Sequence, residues 1–208
     1  MTHSLHRRGS RESLRGDYVM VCRTSKVNKA ATGPALSRIA EIIFEVGISN
    51  TGSSYLETNI PLGLDREMFK RRISEAHGLL CSFSSKEKLA QVLAKIHEEK
   101  LGISITVSGL IDEVIPLAQS MGIKPHTINL SMGILGKTGK LADEELLEYT
   151  TMCGHALIAA NLVKKGIADV ASGKKTAREA SMMMGAPCIC GIYNLDRSDL
   201  MLERSASK

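Results

Sequence analysis

The stretch that decides the fold runs from residue 78 to residue 107 and reads GLLCSFSSKEKLAQVLAKIHEEKLGISITV. Residues 78–83 and 103–107 are short apolar runs of strand length. Ser84, followed three residues later by Glu87, matches a capping box at the start of a helix. The apolar face of that helix consists of Leu89, Val92, Leu93 and Ile96. The pattern therefore predicts a strand, a helix and a second strand.

The flanking residues extend this pattern in both directions. Residues 17–24 (DYVMVCRT) read as a buried strand, residues 110–121 as a second helix, and residues 125–130 as a further strand. Strands that alternate with helices form parallel crossovers, or else a ferredoxin-like arrangement. We therefore expect an α/β fold over residues 17–140, with a parallel or mixed sheet and flanking helices.

The chain changes character at both ends of this core. Residues 141–208 are mostly helical by pattern, with helices expected at 141–150, 153–165 and 176–184. Thr176 and Glu179 match a second capping box. Residues 1–16 are rich in Arg and poor in apolar residues, so they read as a basic flexible tail. All three parts together are expected to form one compact domain with a helical, cysteine-containing C-terminal part.

Composition excludes several classes of protein. No apolar run approaches the roughly 20 residues that a membrane helix needs, and the first residues lack a signal-peptide pattern. The net charge is +5, but Trp is absent and aromatic residues make up 3% of the chain, which disfavours a nucleic-acid partner. We expect a cytoplasmic protein with reduced thiols, without a membrane partner, and compatible with a homo-oligomer. Of its five cysteines, Cys22 and Cys81 lie in apolar runs and are expected to pack in the core.

The other three cysteines form the strongest candidate site. Cys153 and His155 lie in the segment MCGH, and Cys188 and Cys190 lie in PCICG. Thiolates and imidazole are ligands for iron–sulfur centres and zinc. Cys188 and Cys190 can point the same way in an extended segment, whereas Cys153 and His155 would diverge by roughly 200° within a helix. They converge only if Cys153 lies at or before the first helical turn.

This pattern favours a metal-thiolate protein. The expected centre is an iron–sulfur cluster such as 4Fe-4S on Cys153, Cys188 and Cys190, with zinc as the alternative metal. His155 would be the fourth ligand or a nearby proton donor. Such a protein would transfer electrons to a redox partner, or bind a small-molecule substrate at an incomplete ligand position. A further class is a non-catalytic structural or regulatory subunit whose cysteines only pack.

The MCGH segment also resembles the active-site motif of the proline racemase family. The resemblance implies a cofactor-independent isomerase in which Cys153 is the catalytic general acid/base beside the substrate α-carbon. A helix N-terminus would lower the pKa of that thiol. The family takes a second cysteine from the other lobe of a larger fold, and its Pro-Cys-Gly motif is replaced here by Pro-Cys-Ile-Cys-Gly.

Three more residues are candidates for cofactor binding. Residues 131–138 (SMGILGKT) fall one glycine short of a phosphate loop, in which Lys137 would contact an anion. A surface loop is the alternative interpretation. Asn194 and Arg197 follow the PCICG segment closely and are expected to shape its pocket.

Overall fold

The computed structural model describes residues 5–24 and 29–206. Its described residues form a five-stranded sheet in the order β3-β2-β4-β1-β5. The strands are β1 (Tyr18–Arg23), β2 (Asn50–Ser53), β3 (Thr58–Asn59), β4 (Gly78–Phe83) and β5 (Ser104–Ser108). Each pair of neighbouring strands is antiparallel.

The α/β class is confirmed, but the predicted parallel or mixed sheet is wrong. The helix after β4 crosses over β1 before the chain enters β5, so the two strands that run in the same direction are not neighbours. The helix after β1 likewise crosses over β4 before β2. This split βαβ order is the ferredoxin-like arrangement, the other outcome that alternating strands and helices allow.

The strand predicted at residues 125–130 does not form. Residues 123–137 have no regular secondary structure, and Ile128 and Leu130 are exposed. A strand is stable only where a neighbouring strand satisfies its backbone N–H and C=O groups, and β5 pairs with β1 alone among the described residues. The local sequence pattern of residues 125–130 was therefore insufficient to make this segment a strand.

Nine α-helices lie within the described residues. Those of the first two thirds are α1 (Arg11–Leu14), α2 (Lys29–Val46), α3 (Arg66–Arg72), α4 (Lys86–Glu98) and α5 (Ile111–Ser120). Those of the last third are α6 (Glu144–Thr150), α7 (Ala160–Ala171), α8 (Ala177–Gly185) and α9 (Leu195–Ala206). Within residues 5–24 and 29–206, no helix combines the length and apolar character needed to cross a bilayer.

The helices cover both faces of the sheet. Side chains alternate along a strand, so Tyr18, Met20 and Cys22 face a core built with α2, α3 and α4. Val19 and Val21 face a second core built with α6 to α9. This second core contains all three clustered cysteines. The C-terminal helices therefore form a layer that holds the candidate site against the sheet.

Two helix starts differ from the sequence pattern, and one agrees with it. The Thr176–Glu179 capping box of α8 is confirmed. The helix α4 is capped by Ser85, whose hydroxyl accepts from the Lys88 amide, so its start lies one residue beyond the predicted Ser84. The helix expected at 153–165 begins only at Ala160, which leaves Cys153 in a turn.

Candidate functional site

Two turns bring the three thiols together in the second core. Residues 151–159 join α6 to α7, and residues 186–194 join α8 to α9. The Sγ atoms of Cys188 and Cys190 are 3.8 Å apart, and the Cys153 thiol is hydrogen-bonded to Cys188. His155 Nδ1 lies 3.7 Å from Cys190 Sγ. All four residues expected at a metal site are thus adjacent.

Their exposure to solvent differs. The three cysteines are at most 3% exposed, whereas His155 is exposed. The thiols are consequently shielded from solvent, and the imidazole lies at the solvent-facing end of the row, beside Cys190. A molecule from solution would meet His155 before any of the sulfur atoms.

The turn after α6 lets Cys153 and His155 approach the same site. The amide of Ala156 donates to the Cys153 carbonyl at 3.1 Å, and Ala156 has a φ of 55°. Cys153 lies outside any helix, as convergence with His155 requires. It follows the C-terminal end of α6, so the helix N-terminus invoked for a low thiol pKa is absent at this residue.

A second turn places Cys188 and Cys190. The Gly191 amide donates to the Cys188 carbonyl at 2.8 Å, and the Cys188 amide donates to the Gly185 carbonyl at 3.0 Å. The segment is a turn and not the extended segment considered for the Cys-x-Cys spacing. Its two thiols nevertheless meet because the turn folds them to one side.

The Cys188 turn is fixed to the edge of the sheet by two contacts that the sequence did not indicate. Asn59 is buried, and its Nδ2 donates to the Ala186 carbonyl at 3.0 Å and to the Cys188 carbonyl at 2.9 Å. Gly191 has a φ of 72°, and a Cβ on it would lie 2.1 Å from the Gly52 nitrogen in β2. The turn therefore packs backbone to backbone against the sheet.

Contacts within the row alter the acidity of the thiols. The hydrogen bond from Cys188 lowers the pKa of Cys153, with further help from the backbone amides of Leu157 and His155, although burial opposes the shift. The Cys188 hydrogen bond also lowers the pKa of Cys190. These same two hydrogen bonds, together with burial, raise the pKa of Cys188 itself. Cys188 is thus the thiol that keeps its proton, and its single S–H can donate to Cys153 or to Cys190 but not to both at once.

The four groups form a row and do not surround a common point. Within residues 5–24 and 29–206, no three His, Cys, Asp or Glu side chains are arranged as the ligands of a metal ion. Each thiol contacts the next one, and His155 stands at the Cys190 end.

Asn194 and Arg197, expected to shape the pocket, belong to a buried polar network. Asn194 Nδ2 lies within hydrogen-bonding distance of the Gly16 carbonyl (2.9 Å), Asp17 Oδ1 (3.0 Å) and the Phe83 carbonyl (3.0 Å). Arg197 Nη1 donates to Asp17 Oδ2 at 2.7 Å. These internal contacts give no support to the predicted cofactor-binding role of the two side chains.

Lys137 lies apart in an exposed surface loop. A 3₁₀ turn over Thr138–Lys140 follows it, so the helix that a phosphate loop requires after its lysine does not form. Residues 131–137 therefore form a loop, and the structure gives the phosphate-loop interpretation no support.

The N-terminal segment reaches the site through Arg7. Its Nη2 donates to the Met152 carbonyl at 3.0 Å and also to the Ile192 carbonyl. Its Nη1 pairs with the buried carboxylate of Asp17. The sequence grouped Arg7 with a flexible tail and did not anticipate these contacts; residues 1–4 of that tail lie outside the described residues.

Comparison with protein-family models, with curated proteins and with solved structures finds no match for the chain. Its class is therefore defined by its own fold and site. It is an α/β protein with a split βαβ sheet, covered on one face by a helical layer whose connecting turns carry three adjacent buried thiols and a histidine.

Proposed function

We propose that this protein is a metal-thiolate protein that uses Cys153, Cys188 and Cys190 as ligands, with His155 as the fourth. The observation that carries the proposal is the row of successive contacts between three buried thiols and an imidazole from two separate turns. Thiolate and imidazole ligands together suit zinc or iron. The thiolate character of Cys153 and Cys190 fits this role, because metals bind the deprotonated sulfur.

The sulfur separation favours a single ion over the 4Fe-4S cluster suggested by the sequence. Sulfur ligands about 2.3 Å from a tetrahedral ion lie about 3.8 Å from one another, and Cys188 and Cys190 have this separation. In a four-iron cluster each thiolate binds a different iron atom, so its sulfur atoms lie farther apart. A single zinc or iron ion accordingly fits this sulfur separation better than a four-iron cluster does.

The exposed His155 determines from which side another molecule can approach the proposed metal centre. A closed site with four protein ligands is structural or transfers electrons, whereas an open ligand position binds substrate. His155 is the one exposed member of the set. A redox partner would therefore approach the metal from the His155 side, and a small-molecule substrate would bind there only by displacing His155 as the fourth ligand.

Metal content of anaerobically purified protein tests the proposal. We expect one zinc or iron ion per chain, and we expect Cys188→Ser to lose it because Cys188 lies between the other two thiols. Cys22→Ser is the matched control, since Cys22 is a buried cysteine in the core on the opposite face. It should retain the metal.

Three results would change this conclusion. Wild-type protein without zinc, iron or acid-labile sulfide would refute the metal-thiolate function. Iron with stoichiometric sulfide and a brown colour would keep that function and refute the single ion. Loss of metal in Cys22→Ser to the same extent would show that the effect of Cys188→Ser is not specific to the site.

The second candidate is thiol-based isomerisation with Cys153 as general base. It is favoured by the lowered pKa of Cys153 and by the resemblance of the MCGH segment to proline racemases. The direct hydrogen bond between Cys153 and Cys188 counts against it, because a substrate carbon could reach the Cys153 sulfur only by separating the pair. A colourless, metal-free protein that is inactivated by alkylation of Cys153 would favour this candidate.

A further inference from the structure

We infer that Arg7 is a positioning residue for the thiol site, an inference that rests on the proposed metal-thiolate function. One guanidinium bonds to both cysteine-bearing turns. It donates to the carbonyl of Met152, which directly precedes Cys153, and to the carbonyl of Ile192, two residues after Cys190. Arg7 thereby cross-links the two turns on which the ligand set depends.

The cross-link has a fixed anchor at the start of β1. The Asp17 carboxylate is fully buried and lies between the guanidinium groups of Arg7 and Arg197. Burial alone would raise the pKa of Asp17, but the two cations outweigh it and hold that pKa below its usual value. The carboxylate stays charged, so Arg7 is held by a strong buried ion pair.

The backbone of Arg8, the next residue after Arg7, is also held in place. The Arg8 amide donates to Thr151 Oγ1 at 3.0 Å, and Arg197 Nη2 donates to the Arg8 carbonyl at 2.6 Å. The Arg8 side chain, by contrast, points to the surface, where it pairs with the exposed Glu144. Neighbouring arginines of one segment thus have different roles, which offers a matched control.

Arg7 holds the segments that carry the proposed metal ligands and does not itself bind the metal. Groups that orient ligand-bearing segments typically contribute 10–100-fold to metal affinity. A guanidinium can bond to two carbonyls and a carboxylate at once because its donors form a rigid planar fork, which an ammonium group cannot reproduce. Arg7 should therefore act on the metal through the positions of Cys153 and Cys190, without touching it.

Zinc affinity tests the inference, measured on metal-free protein by competition with a chromophoric chelator. We expect Arg7→Ala to weaken zinc binding about 10–100-fold, Arg7→Lys to restore only part of the loss, and Arg8→Ala to match wild type. Thermal unfolding of the same metal-free proteins is the second readout. A lower melting temperature with unchanged zinc affinity would show a purely structural role and overturn the inference.

A metal-independent measurement separates failure of this inference from failure of the proposed function. The rate at which iodoacetamide alkylates Cys153 and Cys190 in metal-free folded protein should rise in Arg7→Ala and stay unchanged in Arg8→Ala. If wild-type protein binds no zinc, the proposed function fails, and the alkylation rates alone decide whether Arg7 holds the turns. Equal zinc affinity and equal alkylation rates in Arg7→Ala and wild type would refute the positioning role.

Discussion

Gly191→Ala is expected to remove a large share of the folding stability and the thiol site with it. The new Cβ would lie 2.1 Å from backbone atoms of Thr51 and Gly52 in β2, and neither side of this contact can move without disturbing the sheet. Left-handed strain costs about 1–3 kcal/mol and overpacking typically about 1–3 kcal/mol more. Their sum is a large share of the roughly 5–15 kcal/mol that stabilises a domain.

Urea unfolding measures this effect, with Gly173→Ala as the matched control. Gly173 has a φ of 70°, against 72° for Gly191, but an added Cβ there meets nothing within 4 Å. The control should lose only the conformational cost of a left-handed Ala, about 1–3 kcal/mol. If Gly191→Ala is insoluble, Gly52→Ala tests the contact from the other side, where the added Cβ would lie 2.6 Å from the Ile189 carbonyl. Equal losses at Gly191 and Gly173 would show that the turn does not pack on β2 as described.

The Asp17→Asn variant is expected to be destabilised by about 3–5 kcal/mol at neutral pH, the range for breaking a buried ion pair. The amide would leave the Arg7 guanidinium without its buried counter-charge and Arg197 with only its longer pairing to Glu148, at 3.5 Å. It would also disturb Asn194, whose Nδ2 lies 3.0 Å from Asp17 Oδ1. The loss should appear in the free energy of unfolding measured in urea.

The pH dependence of that free energy has a definite sign. The folded-state pKa of Asp17 is lowered from its ordinary 3.8, so the unfolded chain binds this proton more readily. The contribution of Asp17 is complete above the unfolded pKa and is lost as the pH falls through the folded pKa. Wild-type stability should therefore fall below about pH 4 more steeply than that of Asp17→Asn.

Asp112→Asn is the control for both Asp17 measurements. Asp112 also pairs with an arginine, Arg11, but both side chains are more than half exposed. Solvent screens such a pair, so its removal should change stability little. The same loss in Asp112→Asn as in Asp17→Asn, or parallel acid profiles of wild type and Asp17→Asn, would contradict the buried network.

Local elements were predictable because their signals are local. The strand at Gly78–Phe83 and the helix at Lys86–Glu98 follow from a short apolar run and a helical apolar period. Strand direction was not predictable in this way. The unbroken apolar run of β1 is typical of parallel strands covered on both faces, and here helices cover both faces of an antiparallel sheet.

The residues of the candidate site also differ in whether the sequence could identify them. Cysteine and histidine can be recognised as possible metal ligands from their residue type alone. The sequence was therefore sufficient to choose Cys153, His155, Cys188 and Cys190. Arg7 could not, since it is 145 residues from Met152 and 185 from Ile192 in the chain. The sequence around Arg7 does not indicate that its side chain is buried. Only the folded structure shows that Arg7 is buried whereas the Arg8 side chain lies at the surface.

The exposed segment at residues 123–137 joins the βαβ half of the chain to its helical layer without a strand or α-helix of its own. Met132 is 89% exposed, whereas the surface between the two halves is buried and includes Val19, Val21 and Leu80 of the sheet. The buried contacts between the two halves do not depend on the peptide bonds of residues 123–137. We therefore expect a single proteolytic nick near Met132 to yield two fragments that copurify, and the same two fragments, expressed separately, to reassemble into one folded protein.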